Sequence, residues 1–200
     1  MDDEEHKLFK EVRIISHMKK RKMKKMKKKW VHHSFKKYNP NFPKWFAQEK
    51  NKLKKVLGKI KNAKIEHIGS TAVPGLGGKG IVDIAIFLPR QGIDAAKKKI
   101  SSQGYKEWPV PKKLNFFSFK KFYGPETSLS KVFHIHITAD KKVFEKMFVF
   151  RDYLRERPDI SEKYAKLKKK ASKICKGSFI AYRKLKNPFI KSIIKKAEKN

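Results

Sequence analysis

The sequence predicts an α+β fold: a mixed β-sheet flanked by helices and preceded by a basic N-terminal arm. Short apolar runs of strand length fill the middle of the chain and long helical periodicities fill its last third, the order expected when strands and helices segregate into layers. Composition changes sharply near Phe35, dividing the arm (residues 1–37) from one body (38–200). With 39% hydrophobic residues and 15 phenylalanines in 200, that body can bury a core of ordinary size and is folded rather than disordered throughout.

In the arm an acidic tip, residues 1–5, precedes a stretch from Arg13 to Lys37 that contains no acid. Positions 19–29 are Lys19, Lys20, Arg21, Lys22, Lys24, Lys25, Lys27, Lys28 and Lys29, broken only by Met23 and Met26. Lysine and methionine are good helix formers, and Leu8, Val12, Ile15, Met26 and Trp30 fall roughly at helical spacing. The expectation is a helical or partly disordered arm that stiffens on a partner.

In the body, Pro43 can open a helix with Phe46, Leu53, Val56 and Leu57 on its apolar side, stopped by Gly58. Residues 64–68 and 81–88 read as strands, and 92–103 as a helix ending at Gly104. Residues 114–123 alternate as another strand, with Phe117 and Phe119 on one face, and 131–138 as a further one. Helices follow at 141–154 and 161–174, then two shorter ones after Ser178 and after Asn187-Pro188. There is no internal repeat.

The chemistry concentrates in residues 65–86. A strand ends in Gly69-Ser70, a small-residue loop follows, and a second strand carries Asp83 among Ile81, Val82, Ile84 and Ile86. A carboxylate in such company is costly unless paired, protonated or bound to a metal. The glycine-serine turn offers backbone N–H groups and a hydroxyl where a phosphate can sit. Strand alternation points Glu66 and Ile68 one way and Ile65 and His67 the other, and places His134 and His136 on a common face. Their Cα atoms lie about 7 Å apart, near enough to converge on one phosphate or one ion.

Each of these residues has a plainer role open to it. Asp83 could pair with Lys79 in the core, His134 and His136 could line a solvated sheet face, Glu66 could be a solvated strand-end acid, and His67 reads as structural. Arg151 and Arg155, four apart on one helix face beside Asp152, can fork onto phosphate oxygens or bridge acids of a neighbouring helix. Tyr164 and Lys168 repeat that spacing.

Gly69-Ser70, twelve residues, then Asp83 on an apolar strand resembles the signature of the nucleotidyltransferase superfamily. The longer resemblance is to its GrpB family. It runs through Tyr38-Asn39-Pro40 before Trp45-Phe46, the block from Glu66 to Asp83, Phe133-His134-Ile135-His136, Phe150-Arg151-Asp152-Tyr153-Leu154-Arg155, Tyr182 and Lys186-Asn187-Pro188-Phe189, covering roughly residues 36 to 190. The resemblance implies a nucleotidyltransferase-like fold that binds a nucleoside triphosphate or related phosphoryl compound. Gly69, Ser70 and Thr71 would hold phosphates, Asp83 would take magnesium, and Lys79, His134, His136, Arg151 and Arg155 would neutralise charge, with Glu66 a further catalytic candidate.

The implied reaction is in-line attack at the α-phosphorus with pyrophosphate leaving and the nucleotidyl group passing to an unknown acceptor. Two positions depart from the pattern: the usual Asp-x-Asp pair is Asp83-Ile84-Ala85, without the second carboxylate, and Gly80 stands where proline is usual. By the resemblance, the strand carrying His134 and His136 would lie where the superfamily often places its third carboxylate, with the two histidines replacing an acid there. Zinc on Asp83 and the two histidines has suitable ligand types, but nothing else in the sequence demands it.

Charge bounds the partners. The chain carries 53 Lys and Arg against 18 Asp and Glu, a formal +35 that implies a polyanionic neighbour. Residues 1–37 hold 14 bases and 5 acids, a net +9, which leaves +26 on the body. Nucleic acid, RNA above all, is the leading candidate, with the arm binding phosphates and reading little sequence; a solvated charge run is the plain alternative for that arm. A second hypothesis follows: a catalytically degenerate fold kept as an RNA- or ribonucleoprotein-binding module. The single Cys175 permits no internal disulfide and no Cys-x-x-Cys site. No apolar run approaches a membrane span, and residues 1–5 do not suit a signal peptide, so the expectation is a soluble, cytoplasmic protein.

Overall fold

The structure, a computed structural model, describes residues 35–58, 60, 62–110, 114–124, 131–175 and 178–198. The nine clustered cations from Lys19 to Lys29 lie outside the described residues.

Helix α1 (Phe42–Leu57) begins beside Pro43 and ends at Gly58, whose positive φ of 51° lets its N–H reach back 2.9 Å to the Lys54 carbonyl. It buries Phe42, Leu53 and Leu57. Strand β1 (Lys64–Ile68) leads through a single 3₁₀ turn (Ser70–Ala72) and a loop to β2 (Ile81–Phe87). Then come α2 (Ile93–Ser102), β3 (Lys106–Trp108), β4 (Phe117–Tyr123) and β5 (Lys131–Thr138). Three long helices close the order: α3 (Lys141–Glu156), α4 (Pro158–Cys175) and α5 (Phe179–Ala197).

The five strands form one sheet in the order β1-β2-β5-β4-β3. Only β2 and β5 run parallel; the remaining neighbours are antiparallel, so the sheet is mixed. One face carries the main core, where Val82, Ile84, Ile86, Phe119, Phe133, Ile135 and Ile137 meet α1 and α2 through Leu53, Leu57, Ala96 and Ile100. The other face is covered only in part. There α3 lays Phe144, Met147 and Phe148 over Ile68, Ala85 and Phe87, while α4 and α5 pack beyond it. The uncovered remainder of that face is where Asp83, His134 and His136 point.

Two elements differ from the sequence reading. β3 escapes it because three residues, one of them Glu107, carry no alternation to detect; β3 forms by pairing with β4, Trp108 opposite Ser118. The two short C-terminal helices are one, with Pro188 inside. A proline there removes one helical hydrogen bond. Burial holds the helix beyond it: Ile193 is 2% exposed and the Phe189 ring stacks on Tyr164 at 5.1 Å.

Candidate functional site

A cavity of about 400 Å³ opens between the sheet and helices α3 to α5. Its floor is the polar end of the central strands. Register sets Asp83 opposite His134 and Ala85 opposite His136 across the parallel pair, with Ile68 beside Asp83 on β1 and Lys120 beside His134 on β4. His134 Nδ1 lies 3.3 Å and His136 Nε2 3.6 Å from Asp83 Oδ1, and the two imidazole rings are 4.3 Å apart. Burial and the neighbouring His136 push His134 down to about 4, so its ring is neutral at physiological pH. Burial alone would raise Asp83, but the two imidazoles facing it outweigh that and hold it below the ordinary carboxylate range.

His134 reaches Ser118 Oγ through its other nitrogen, at 2.5 Å. The neutral ring therefore carries its proton on Nδ1 toward Asp83 and accepts the serine hydroxyl at Nε2. Serine, histidine and aspartate in that sequence have the connectivity of a hydrolase triad. Ser118, however, is 1% exposed and absent from the cavity wall, so its hydroxyl orients the imidazole instead of attacking a substrate.

The glycine-serine turn closes over this cluster. Gly69 has φ 71°, and a Cβ there would stand 2.7 Å from Asp83 Oδ2, so only glycine lets the backbone pass the carboxylate. Ser70 faces Gly78, where a Cβ would meet the serine hydroxyl at 2.5 Å. The turn is braced from behind. His67, buried and pushed down to about 4, stacks on Phe46 and donates through Nε2 to Thr71 Oγ1 at 3.0 Å; that hydroxyl donates onward to the Ile81 carbonyl at 3.1 Å. Arg155 grips the Ala72 carbonyl with two N–H groups at 2.9 and 2.7 Å. Arg151 binds Asp152 with a fork at 2.7 and 2.8 Å and uses its remaining reach on the His67 carbonyl and Glu66.

Of the residues singled out from the sequence, Gly69, Ser70, Lys79, Asp83, His134 and His136 meet at one cavity. Glu66, Thr71, Arg151 and Arg155 do not line it. Glu66 shares the sheet face of Asp83, but Arg151 holds it at 3.0 Å in a neighbouring groove. Thr71 and the two arginines hold the loop in place.

Sequence reasoning picks out Lys79 and Lys186 through the resemblance and Lys168 by its spacing from Tyr164, and misses Trp108, Lys120, Lys146 and Arg183 of the wall. Lys168 of α4 is buried and donates to the Gly77 carbonyl while lying 4.5 Å over the Tyr164 ring. Lys79 sits 4.6 Å over Tyr182, and Lys120 sits 4.9 Å over Trp108. Lys186 and Arg183 come from α5. Burial, reinforced by Lys186, pushes Lys79 and Lys168 down to about 7; Lys186 is itself lowered by burial. The one available signal was strand alternation, which puts Lys120 on the same face as Ser118. Lys146 and Arg183, both on helices, resemble every other base of a lysine-rich chain.

Asp83 is the only acid among the described residues of the wall, which carries five lysines and one arginine. The arrangement suits an anion with several charged oxygens. A mixed sheet with a Gly-Ser turn over a strand-borne aspartate defines the class, a nucleotidyltransferase-like α+β protein. The comparisons agree. The family described as GrpB protein matches residues 32–196, and this chain belongs to that family. The crystal structure of conserved protein GrpB from Enterococcus faecalis superposes with a TM-score of 0.70 at 30% identity, covering 82% of this chain and 97% of that one. UPF0157 protein BH1888 of Halalkalibacterium halodurans is 29% identical over 161 residues, 80% of each chain. The structure of a GLD-2/RNP-8 complex shares the fold alone, with a TM-score of 0.52 at 8% identity over 74% of this chain and 58% of that one.

Proposed function

We propose that the cavity binds a nucleoside triphosphate or related phosphoryl compound and transfers its nucleotidyl group to an acceptor. The observation that carries this reading is the set of cations from three separate elements, Lys120 of β4, Lys168 of α4 and Lys186 of α5, lining with Lys79 the same cavity as the Gly69-Ser70 turn. A triphosphate supplies the charge they face. Met147, Ile190 and Ile194 give the same cavity an apolar wall for the nucleoside. In the step itself an acceptor hydroxyl oxygen attacks the α-phosphorus and gives its proton to solvent, the bond to the bridging oxygen breaks, and pyrophosphate leaves with its charge neutralised by Lys79, Lys168 and Lys186.

Magnesium is the ion that the resemblance implies, and the residues suit one ion better than two. An ion arriving on the triphosphate would gain Asp83 and phosphate oxygens, and would supply further charge neutralisation. A bridged second ion lacks its carboxylate: position 85 is an alanine packed under Phe144, and Glu66 is held by Arg151. That same alanine favours the second reading, an RNA-binding module without catalysis, served by the +26 of the body.

One experiment separates the two. The purified chain is incubated with each nucleoside triphosphate and magnesium, and pyrophosphate release and label transfer are followed, with Asp83→Ala as control. Activity that disappears in the control supports transfer. No turnover by the native chain, together with tight and salt-sensitive RNA binding, overturns the enzyme reading in favour of the module.

A further inference from the structure

We infer that Asp83, His134 and His136 form a binding site for an imidazole-preferring divalent cation of the zinc class, ready before any nucleotide arrives. The inference deepens the reading above at its shared residue, Asp83; it rests on that reading for the use of the ion and not for its binding.

Geometry comes first. The three donors sit on the two central strands, and their ligand atoms all lie within 4.8 Å of one another. The separations from Asp83 Oδ1 to the two nitrogens are 3.3 and 3.6 Å. Four-coordinate zinc with bonds of about 2.0–2.1 Å spaces its ligands about 3.3 Å apart, and the two separations from Asp83 already stand near that value. The strands fix this spacing, since both histidines and the aspartate are held by ladder pairs on either side.

Donor chemistry then selects the ion. Two imidazoles and one carboxylate suit zinc, cobalt or iron, whereas magnesium prefers six oxygens and keeps most of its water. The outer contact fits as well. With Nδ1 of His134 turned to the ion, Nε2–H donates to Ser118 Oγ, the kind of partner that fixes a metal-bound histidine in its tautomer and orientation. His136 aims Nε2 at the cluster and has no outer contact of this kind, since its buried Nδ1 has no hydrogen-bond partner; its ring is held by Phe116 packed at 5.1 Å. No other His, Cys, Asp or Glu among the described residues joins the group. The remaining coordination position therefore faces the cavity, where water or a phosphate oxygen can take it.

The test uses the full chain, stripped with chelator and free of nucleotide. Cobalt(II) is titrated and followed in the visible, zinc is measured by competition with a chromophoric chelator, and magnesium is added in about thousand-fold excess. The expected result is one cobalt per chain with the intense bands of a low-coordinate site, displaced by zinc and untouched by magnesium. His134→Gln and His136→Gln each abolish the bands. Ser118→Ala weakens binding by about 10- to 100-fold. His32→Gln with His33→Gln changes nothing. Absence of the bands in the native chain, their survival in both single variants, or displacement by magnesium overturns the inference. The native spectrum decides even if a variant fails to fold. ATP binding is measured separately with magnesium present and with cobalt and zinc removed beforehand. ATP bound without a cobalt site sinks only the metal, and a cobalt site without ATP binding sinks only the nucleotide reading.

Discussion

Gly69 shows how much one backbone position settles. Any side chain there is strained by the positive φ and collides with Asp83 Oδ2, so Gly69→Ala should lower unfolding free energy by about 1–3 kcal/mol in urea titrations. The buried lysines make a second prediction. Lys79 and Lys168 sit near 7 in the folded protein against an ordinary 10.5, so between those values the unfolded chain binds more protons. Stability of the empty protein should therefore rise with pH across that window. A bound triphosphate favours the protonated lysines, so ATP affinity should fall from pH 6.5 to 9, with net proton uptake seen by calorimetry in buffers of different ionisation enthalpy. Lys79→Met should flatten that dependence. That His134 and His136 share a face could be read from alternation, and their meeting with Asp83 only through the resemblance, since it depends on β2 pairing with β5. The roles of Arg151 and Arg155 could not, because the carbonyls they hold, those of His67 and Ala72, are more than eighty positions away in the chain.

Among the elements, strands and helices with strong periodicity were legible nearly to their ends, as in β1, β5 and α1. What failed was short or interrupted. β3 owes its existence to β4, a neighbour that local pattern cannot reveal. α5 runs through Pro188 because its far half is anchored by Ile193 and by Phe189 on Tyr164. The proline still forfeits a hydrogen bond and strains the preceding turn, so Pro188→Ala should raise stability by about 1–3 kcal/mol in the same urea titration. The covered and open halves of the site face have a comparable origin. Helix α3 seals the sheet over Ala85 with Phe144 and leaves Asp83 uncovered two residues earlier, so one helix decides which strand positions become cavity and which become core.

At the scale of the whole molecule, the proposed RNA binding is a matter of charge. The arm and body contribute +9 and +26, and binding to single-stranded RNA should weaken linearly in log affinity against log salt. Replacing the nine bases between Lys19 and Lys29 by glutamine should make that slope shallower in filter-binding or anisotropy measurements; an unchanged slope would assign RNA contact to the body. No helix among the described residues is long and apolar enough to cross a membrane. The parallel pairing of β2 with β5 has its own consequence for biosynthesis. These neighbours are separated by more than forty residues of intervening chain, and the aspartate comes from one while both histidines come from the other. A polypeptide still emerging from the ribosome cannot bring the aspartate and the histidines together until residue 138 is free, and the cavity over them waits further for α4 and α5, which carry Lys168, Lys186 and Ile194 of its wall. Truncated products thus lack the means to capture ligand, and occupancy itself reports that synthesis has passed that point.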